Sequence, residues 1–249
     1  MPMMKKLSVL FVFFLFSCDE LKHIAQQVET SRPLTQQEVV NGLKQALTIG
    51  TDSAARRLAR VDGYYRDALV RIALPPEAQV ITNNLSMLPG GERLVEDVVL
   101  RINRAAEDAA NDVTPIFVQA ITNMTIRDGF DILRGEKDAA TQYLRAQTFD
   151  ALFALYQPRI RQSVEKPLVG NVSTSDAWNS LTGKWNSVAN SLAGRVAGLQ
   201  PVTTDLESYL TTQALNGLFL KLAIEEEKIR TEPAARVTEL LRRVFAEGS

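Results

Sequence analysis

Leu94-Val95-Glu96-Asp97-Val98-Val99-Leu100-Arg101-Ile102-Asn103-Arg104-Ala105-Ala106-Glu107-Asp108-Ala109-Ala110 is the stretch that decides the fold. Leu94, Val98, Ile102, Ala106 and Ala110 recur at every fourth position, which stacks them on one face of a 3.6-period helix. Such a ridge has to be buried against other helices. Asn103 and Glu107 lie four apart beside it, unusual residues for a helix core, with Arg104 between them. Two readings apply to these three: a polar binding site, or a satisfied network tying helix ends together, since an unpaired buried polar group costs about 1–3 kcal/mol. On its own helix, Arg104 is expected to pair with Asp108.

The same periodicity runs outward in both directions. Upstream, Thr35-Gln36-Gln37-Glu38 is a capping box, and the spacing predicts a helix over 36–60 that Asp62-Gly63 stops. Pro75-Pro76 breaks the next segment, and a helix near 77–87 ends at Leu88-Pro89-Gly90-Gly91. Downstream, Thr114-Pro115 opens one helix and Thr125-x-x-Asp128 caps another, with Gly135 expected as a left-handed C-terminal residue. A long helix over 138–166 contains Pro158. Residues 176–199 read as an intrinsically weak helix rich in Ser, Asn and Gly, whose Trp178 and Trp185 form an apolar stripe. That stripe is expected to be a binding face able to open on the flanking loops. Leu206, Leu210, Ala214, Leu218 and Leu222 form a second ridge, and Pro233 is expected to start a last helix presenting Val237 and Leu241 to the core. No alternating run is long enough for a strand. The fold class is all-α: one helical-bundle domain of about eight helices over 34–249.

The N-terminus gives an address. Lys5-Lys6 precede an apolar run from Leu7 to Phe16 of about ten residues, too short to span a bilayer, which takes about 20. It ends in Leu15-Phe16-Ser17-Cys18, which resembles the lipobox of bacterial lipoproteins and makes Cys18, the single cysteine, the expected lipidation site. Residues 1–18 are then a signal peptide and 19–33 a polar tether. The single histidine, His23, falls in that tether, which removes Ser-His-Asp and histidine-based metal chemistry. Without residues 1–18 the chain has 26 basic against 29 acidic residues, no excess that a nucleic-acid partner would require.

The remaining motifs are weak. Glu225-Glu226-Glu227 cannot all face one ion, because successive helical side chains diverge, so the run reads as a solvated face and no metal site is expected. Asp128 and Asp131 supply the residue type of carboxylate-dependent hydrolases without fixing a separation. No catalytic residue and no cofactor is assigned.

Gly42-Leu43-Lys44, Asp62-Gly63-Tyr64, Ile72-Ala73-Leu74-Pro75, Asn103 to Glu107, Pro115-Ile116-Phe117, Ile132-Leu133-Arg134-Gly135 and Leu215-Asn216-Gly217-Leu218-Phe219 occur in this order. Together they resemble a bacterial family catalogued as domain of unknown function 4197. The resemblance implies one helical domain and a location in the bacterial cell envelope, and no reaction. The expected function is a lipid-anchored binding or structural module, with a membrane and an envelope protein or small ligand as partners. The alternatives are a hydrolase using interhelical carboxylates and a carrier of a small apolar ligand.

Overall fold

The computed structural model describes residues 33–246. The expected signal peptide, Cys18, the tether and His23 lie outside the described residues. Ten α-helices are described: α1 (Gln36–Leu58), α2 (Gln79–Asn83), α3 (Gly91–Ala109), α4 (Thr114–Asn123), α5 (Ile126–Arg134), α6 (Ala139–Glu165), α7 (Thr174–Ala189), α8 (Leu192–Val196), α9 (Leu206–Thr231) and α10 (Glu239–Ala246). Among the described residues there is no strand, and Val169 and Val172 form an isolated bridge. The fold is all-α. No helix among the described residues is long and apolar enough to cross a membrane.

The two longest elements, α6 and α9, make the most extensive pairing, and the rest is layered on them. On one side α1 lies along α9 and receives α4, α5 and α10; on the other α3 packs on α6 and carries α7. The ridges that the sequence predicts are the buried faces: Val98, Ile102 and Ala106 of α3 with Ala110 in the 3₁₀ turn that follows it, and Leu210, Ala214, Leu218 and Leu222 of α9. An aromatic cluster joins three helices, with Phe219 of α9 edge-on to Phe117 of α4 at 5.5 Å and stacked on Phe149 of α6 at 6.2 Å. Burial of such rings dominates core energetics, and each pair adds about 0.5–1.5 kcal/mol to its area term.

Local chemistry explains both the agreements and the differences. Thr125 and Asp128 form the expected capping box of α5, the Asp128 N–H donating to the Thr125 hydroxyl at 3.2 Å and the Thr125 N–H to Asp128 at 2.9 Å. Gly135 ends α5 in an extended rather than left-handed conformation (φ −80°). A glycine belongs there for space, because a Cβ would stand 2.6 Å from that of Ala139. The helix expected over 77–87 is reduced to α2 between two 3₁₀ turns, with the Asn84 amide donating to the Val80 carbonyl at 2.9 Å. The weak 176–199 segment divides into α7 and α8, and Ser191 caps the second by accepting the Gly194 N–H at 3.0 Å. Pro233 starts only a 3₁₀ turn, because Arg236 folds back to donate to the Ile229 and Arg230 carbonyls at the end of α9. Val237 is therefore left exposed instead of joining the apolar face of α10.

Candidate functional site

The segment between α1 and α2 runs through turns with no regular helix until Pro76, so its backbone groups need partners elsewhere, and α3 supplies them. Asn103 Oδ1 accepts the Ile72 N–H at 2.9 Å, and Asn103 Nδ2 donates to the Ile72 and Val99 carbonyls at 2.8 Å each. One turn on, Glu107 Oε1 accepts the N–H groups of Tyr64 and Tyr65, both at 3.1 Å. Its other oxygen accepts Arg104 Nη1 at 2.6 Å, and Arg104 Nη2 reaches Asp62 at 2.6 Å. Arg104 thus pairs with Glu107 and Asp62, not with Asp108, which instead accepts Ser163 and Lys166 at 2.7 Å each. Burial works against the Arg104 charge, but its bonds to Asp62 and Glu107 outweigh this and hold the guanidinium protonated.

Asp62 and Tyr64 complete the arrangement. Asp62 has φ 69°, a left-handed conformation that Asp tolerates better than most residues, at the turn where the chain leaves α1. Gly63 follows because a Cβ there would fall within 3.0 Å of the carbonyl oxygens of Arg57, Leu58 and Arg60. Tyr64 is fully buried and donates its hydroxyl to the Ala214 carbonyl of α9 at 2.8 Å. Burial, and then the Glu107 charge, push its phenol far above the ordinary range, so it stays a donor. Asp62-Gly63 is legible in the sequence only as a helix stop. The signal missed is the tyrosine behind it, because its partners lie on α3 and α9.

A second buried carboxylate does the same for α6. Glu226, read from sequence as part of a solvated face, is buried. It accepts the Ala140 and Thr141 N–H groups at 3.0 and 2.8 Å and the Thr141 hydroxyl at 2.8 Å, capping α6 from α9. Arg230 neutralises it at 2.8 Å and also donates to the Ile132 carbonyl. Of its neighbours only Glu227 faces outward, to Lys137 at 2.9 Å; Glu225 is partly buried between Arg57 at 2.7 Å and Lys228 at 3.1 Å. No group of three or more His, Cys, Asp or Glu among the described residues is placed to hold a metal ion.

Trp178 and Trp185 both point inward from α7, and Trp185 is fully buried with its indole N–H donating to the Gln200 carbonyl at 2.9 Å. Side chains of α7 and α3 bond to the flanking loops. Asn186 exchanges two hydrogen bonds with the Val202 backbone, at 2.8 and 2.9 Å, and Arg101 of α3 donates to the Val169 carbonyl at 2.6 Å and to that of Val172. Asp128 is spent on its cap and on the Tyr143 hydroxyl, while Asp131 is exposed beside Arg127.

Two open hollows flank the clamped segment. One, of about 480 Å³, is walled by Arg57, Asp62, Arg66, Leu69, Lys221 and Lys228. The other, of about 250 Å³, is walled by Leu69, Arg71, Tyr209 and Leu220. By contrast the enclosed space between Leu43, Leu47, Leu222, Glu226 and Phe245 is about 10 Å³, room for about one water.

No curated protein and no solved structure matches the chain. A family model does match, over residues 33–246, which is the whole described domain; the chain belongs to DUF4197, a family of proteins of unknown function.

Proposed function

We propose that this chain is a lipid-anchored binding module of the bacterial cell envelope, held at a membrane through Cys18 and engaging its target with the surface of the helical domain. The observation that carries the reading of the domain is the use made of its buried polar residues. Asn103, Glu107 and Glu226 satisfy their hydrogen-bonding groups within the chain, fixing the 62–72 segment and the start of α6. Residues of this kind at a reaction centre keep groups pointed at the place a substrate occupies. Here they build a rigid platform, and the two hollows beside it are the openings left for a partner. The anchor rests on Lys5-Lys6, the apolar run and the Leu15-Phe16-Ser17-Cys18 motif. Two acyl chains or more give stable attachment where a single chain gives only marginal binding.

Mass spectrometry of the N-terminal peptide from the natural host tests the anchor. The expected species begins at Cys18 and carries a diacylglyceryl group, and Cys18→Ser should shift the protein out of the membrane fraction or leave its precursor uncut. An unmodified Cys18 in protein isolated from membranes overturns the reading.

A further inference from the structure

The segment that α3 clamps continues an arginine-rich end of α1. Residues 56–71 contain five arginines and two aspartates, in a chain whose net charge is −1. Three of the five arginines have carboxylate partners, Arg56 with Asp52, Arg57 with Glu225 and Arg66 with the Asp62 that Arg104 shares, while Asp67 is held by Lys221. Arg60 and Arg71 have no carboxylate partner among the described residues, and Arg71 lies over the Tyr65 ring at 4.8 Å. Between these cations two aliphatic side chains stand in solvent, Val61 with 76% and Leu69 with 63% of its surface exposed. Leu69 forms the rib between the two hollows, with Arg66 and Lys221 on one side and Arg71 and the half-exposed Leu220 on the other. The segment cannot fold these residues away, because Asn103, Glu107 and the Tyr64 hydroxyl fix its backbone on three sides.

We infer that this face docks on an anionic phospholipid surface, with the arginines on headgroup phosphates and Val61 and Leu69 entering the acyl boundary. Guanidinium groups match phosphate oxygens in a bidentate fork, and aliphatics interleaved with cations are what an interfacial contact needs. The uncompensated positive charge is the complement of an anionic leaflet. Nearness to a bilayer rests on the anchor proposed above. Residues 19–33 can span about 50 Å at full extension, more than the roughly 34 Å length of α1, so a chain held at Cys18 has the reach to lay the far end of α1 on the same membrane.

Vesicle co-sedimentation tests this, using the full chain carrying Cys18→Ser so that no lipid is attached. Pure phosphatidylcholine vesicles are compared with vesicles containing about a third phosphatidylglycerol, and the ratio of the two affinities is the readout; Lys5-Lys6 of the leader add the same preference to every variant, so the change in the ratio between variants decides. The expected ratio is about tenfold or more at low salt, falling as salt screens the arginines. Arg60→Ala with Arg71→Ala should lower the ratio about fivefold or more. Val61→Ser with Leu69→Ser should weaken binding to the anionic vesicles at unchanged circular dichroism. Lys184→Ala with Arg195→Ala removes the same charge from α7 and α8 and should leave the ratio within about twofold. Arg60→Ala alone, which removes no described side-chain contact, guards against misfolding. A wild-type ratio near one, or an equal effect of the two double-arginine and control changes, overturns the inference, as does binding of an acidic protein at this face with no vesicle preference. A missing lipid on Cys18 would defeat the anchor and leave these ratios as they are.

Discussion

Asn103 and Ile72 exchange a pair of hydrogen bonds, 2.9 Å from the Ile72 N–H to Oδ1 and 2.8 Å from Nδ2 to the Ile72 carbonyl, so that one side chain pairs with a backbone as a neighbouring strand would. Both residues are buried, and water cannot replace either bond. Asn103→Ala should lower unfolding free energy by at least about 2 kcal/mol, since it orphans the buried N–H and carbonyl of Ile72. Asn103→Asp keeps the acceptor but sets a carboxylate against the Ile72 and Val99 carbonyls, and should be as damaging at neutral pH. Denaturant unfolding of both variants checks this; a loss below about 0.5 kcal/mol in either would contradict the clamp.

Glu107 joins the Tyr64 and Tyr65 amides to Arg104. Glu107→Ala leaves those amides without their acceptor and the largely buried guanidinium with Asp62 alone, and should destabilise by about 3 kcal/mol. Glu107→Gln should lose less, because an amide oxygen still serves Tyr64 and Tyr65 while its NH₂ replaces the oxygen that met Arg104. An equal loss in both variants would mean that the charge on Glu107, rather than its acceptor geometry, holds the segment.

Three consecutive glutamates in α9 should respond unequally to alanine. Glu226→Ala removes the cap of α6 and strands Arg230, and should cost about 2–4 kcal/mol. Glu227→Ala breaks a solvent-facing pair and should cost about 0.5 kcal/mol or less, with Glu225→Ala, whose partly buried carboxylate serves Arg57 and Lys228, falling between the two. Similar melting temperatures for all three variants would contradict the burial of Glu226.

Hydrogen exchange distinguishes a gate from a core helix at α7. Because both indoles are buried and Asn186 and Arg101 tie the loops on either side, amides of 178–189 should be protected to the same order as those of 98–109. Residues 192–197 of α8, which expose Leu192 and Val196, should exchange faster. Rapid exchange through α7 would restore the opening stripe that its weak propensity suggests.

Acid should unfold the domain through its paired aspartates. Burial raises the carboxyl of Asp108, but Lys166 and Ser163 outweigh it and hold it below the usual range; for Asp205, the Ser208 hydroxyl and backbone N–H groups have the same net effect. Each group binds a proton less readily folded than unfolded, so its contribution is complete above the unfolded value of about 3.9 and is lost as pH falls through the lower folded value. Stability should fall steeply below about pH 4, and Asp108→Asn should flatten that dependence. An unaltered acid limb in Asp108→Asn would remove this pair from the account.

The sequence by itself determined the helices and their inward faces. Periodicity and caps are local properties, written within four residues of each other, so the ridges of α3 and α9, the Thr125 box and the absence of alternating runs are all legible without a fold. Sequence also marked Asn103, Arg104 and Glu107 as odd residues for a core, and left two readings for them. Only the tertiary structure chose their partners, because Ile72, Tyr64 and Asp62 lie 31, 43 and 42 residues away and the spacing of a hydrogen bond across helices has no period. The same cause hid Glu226, whose role as the cap of α6 spans 86 residues, behind an acidic run that looked solvated. For α7 the tertiary structure adds what composition lacks: poor helix propensity is a property of the isolated segment, and burial of Trp178 and Trp185 with bonds to Gln200 and Val202 is a property of what surrounds it.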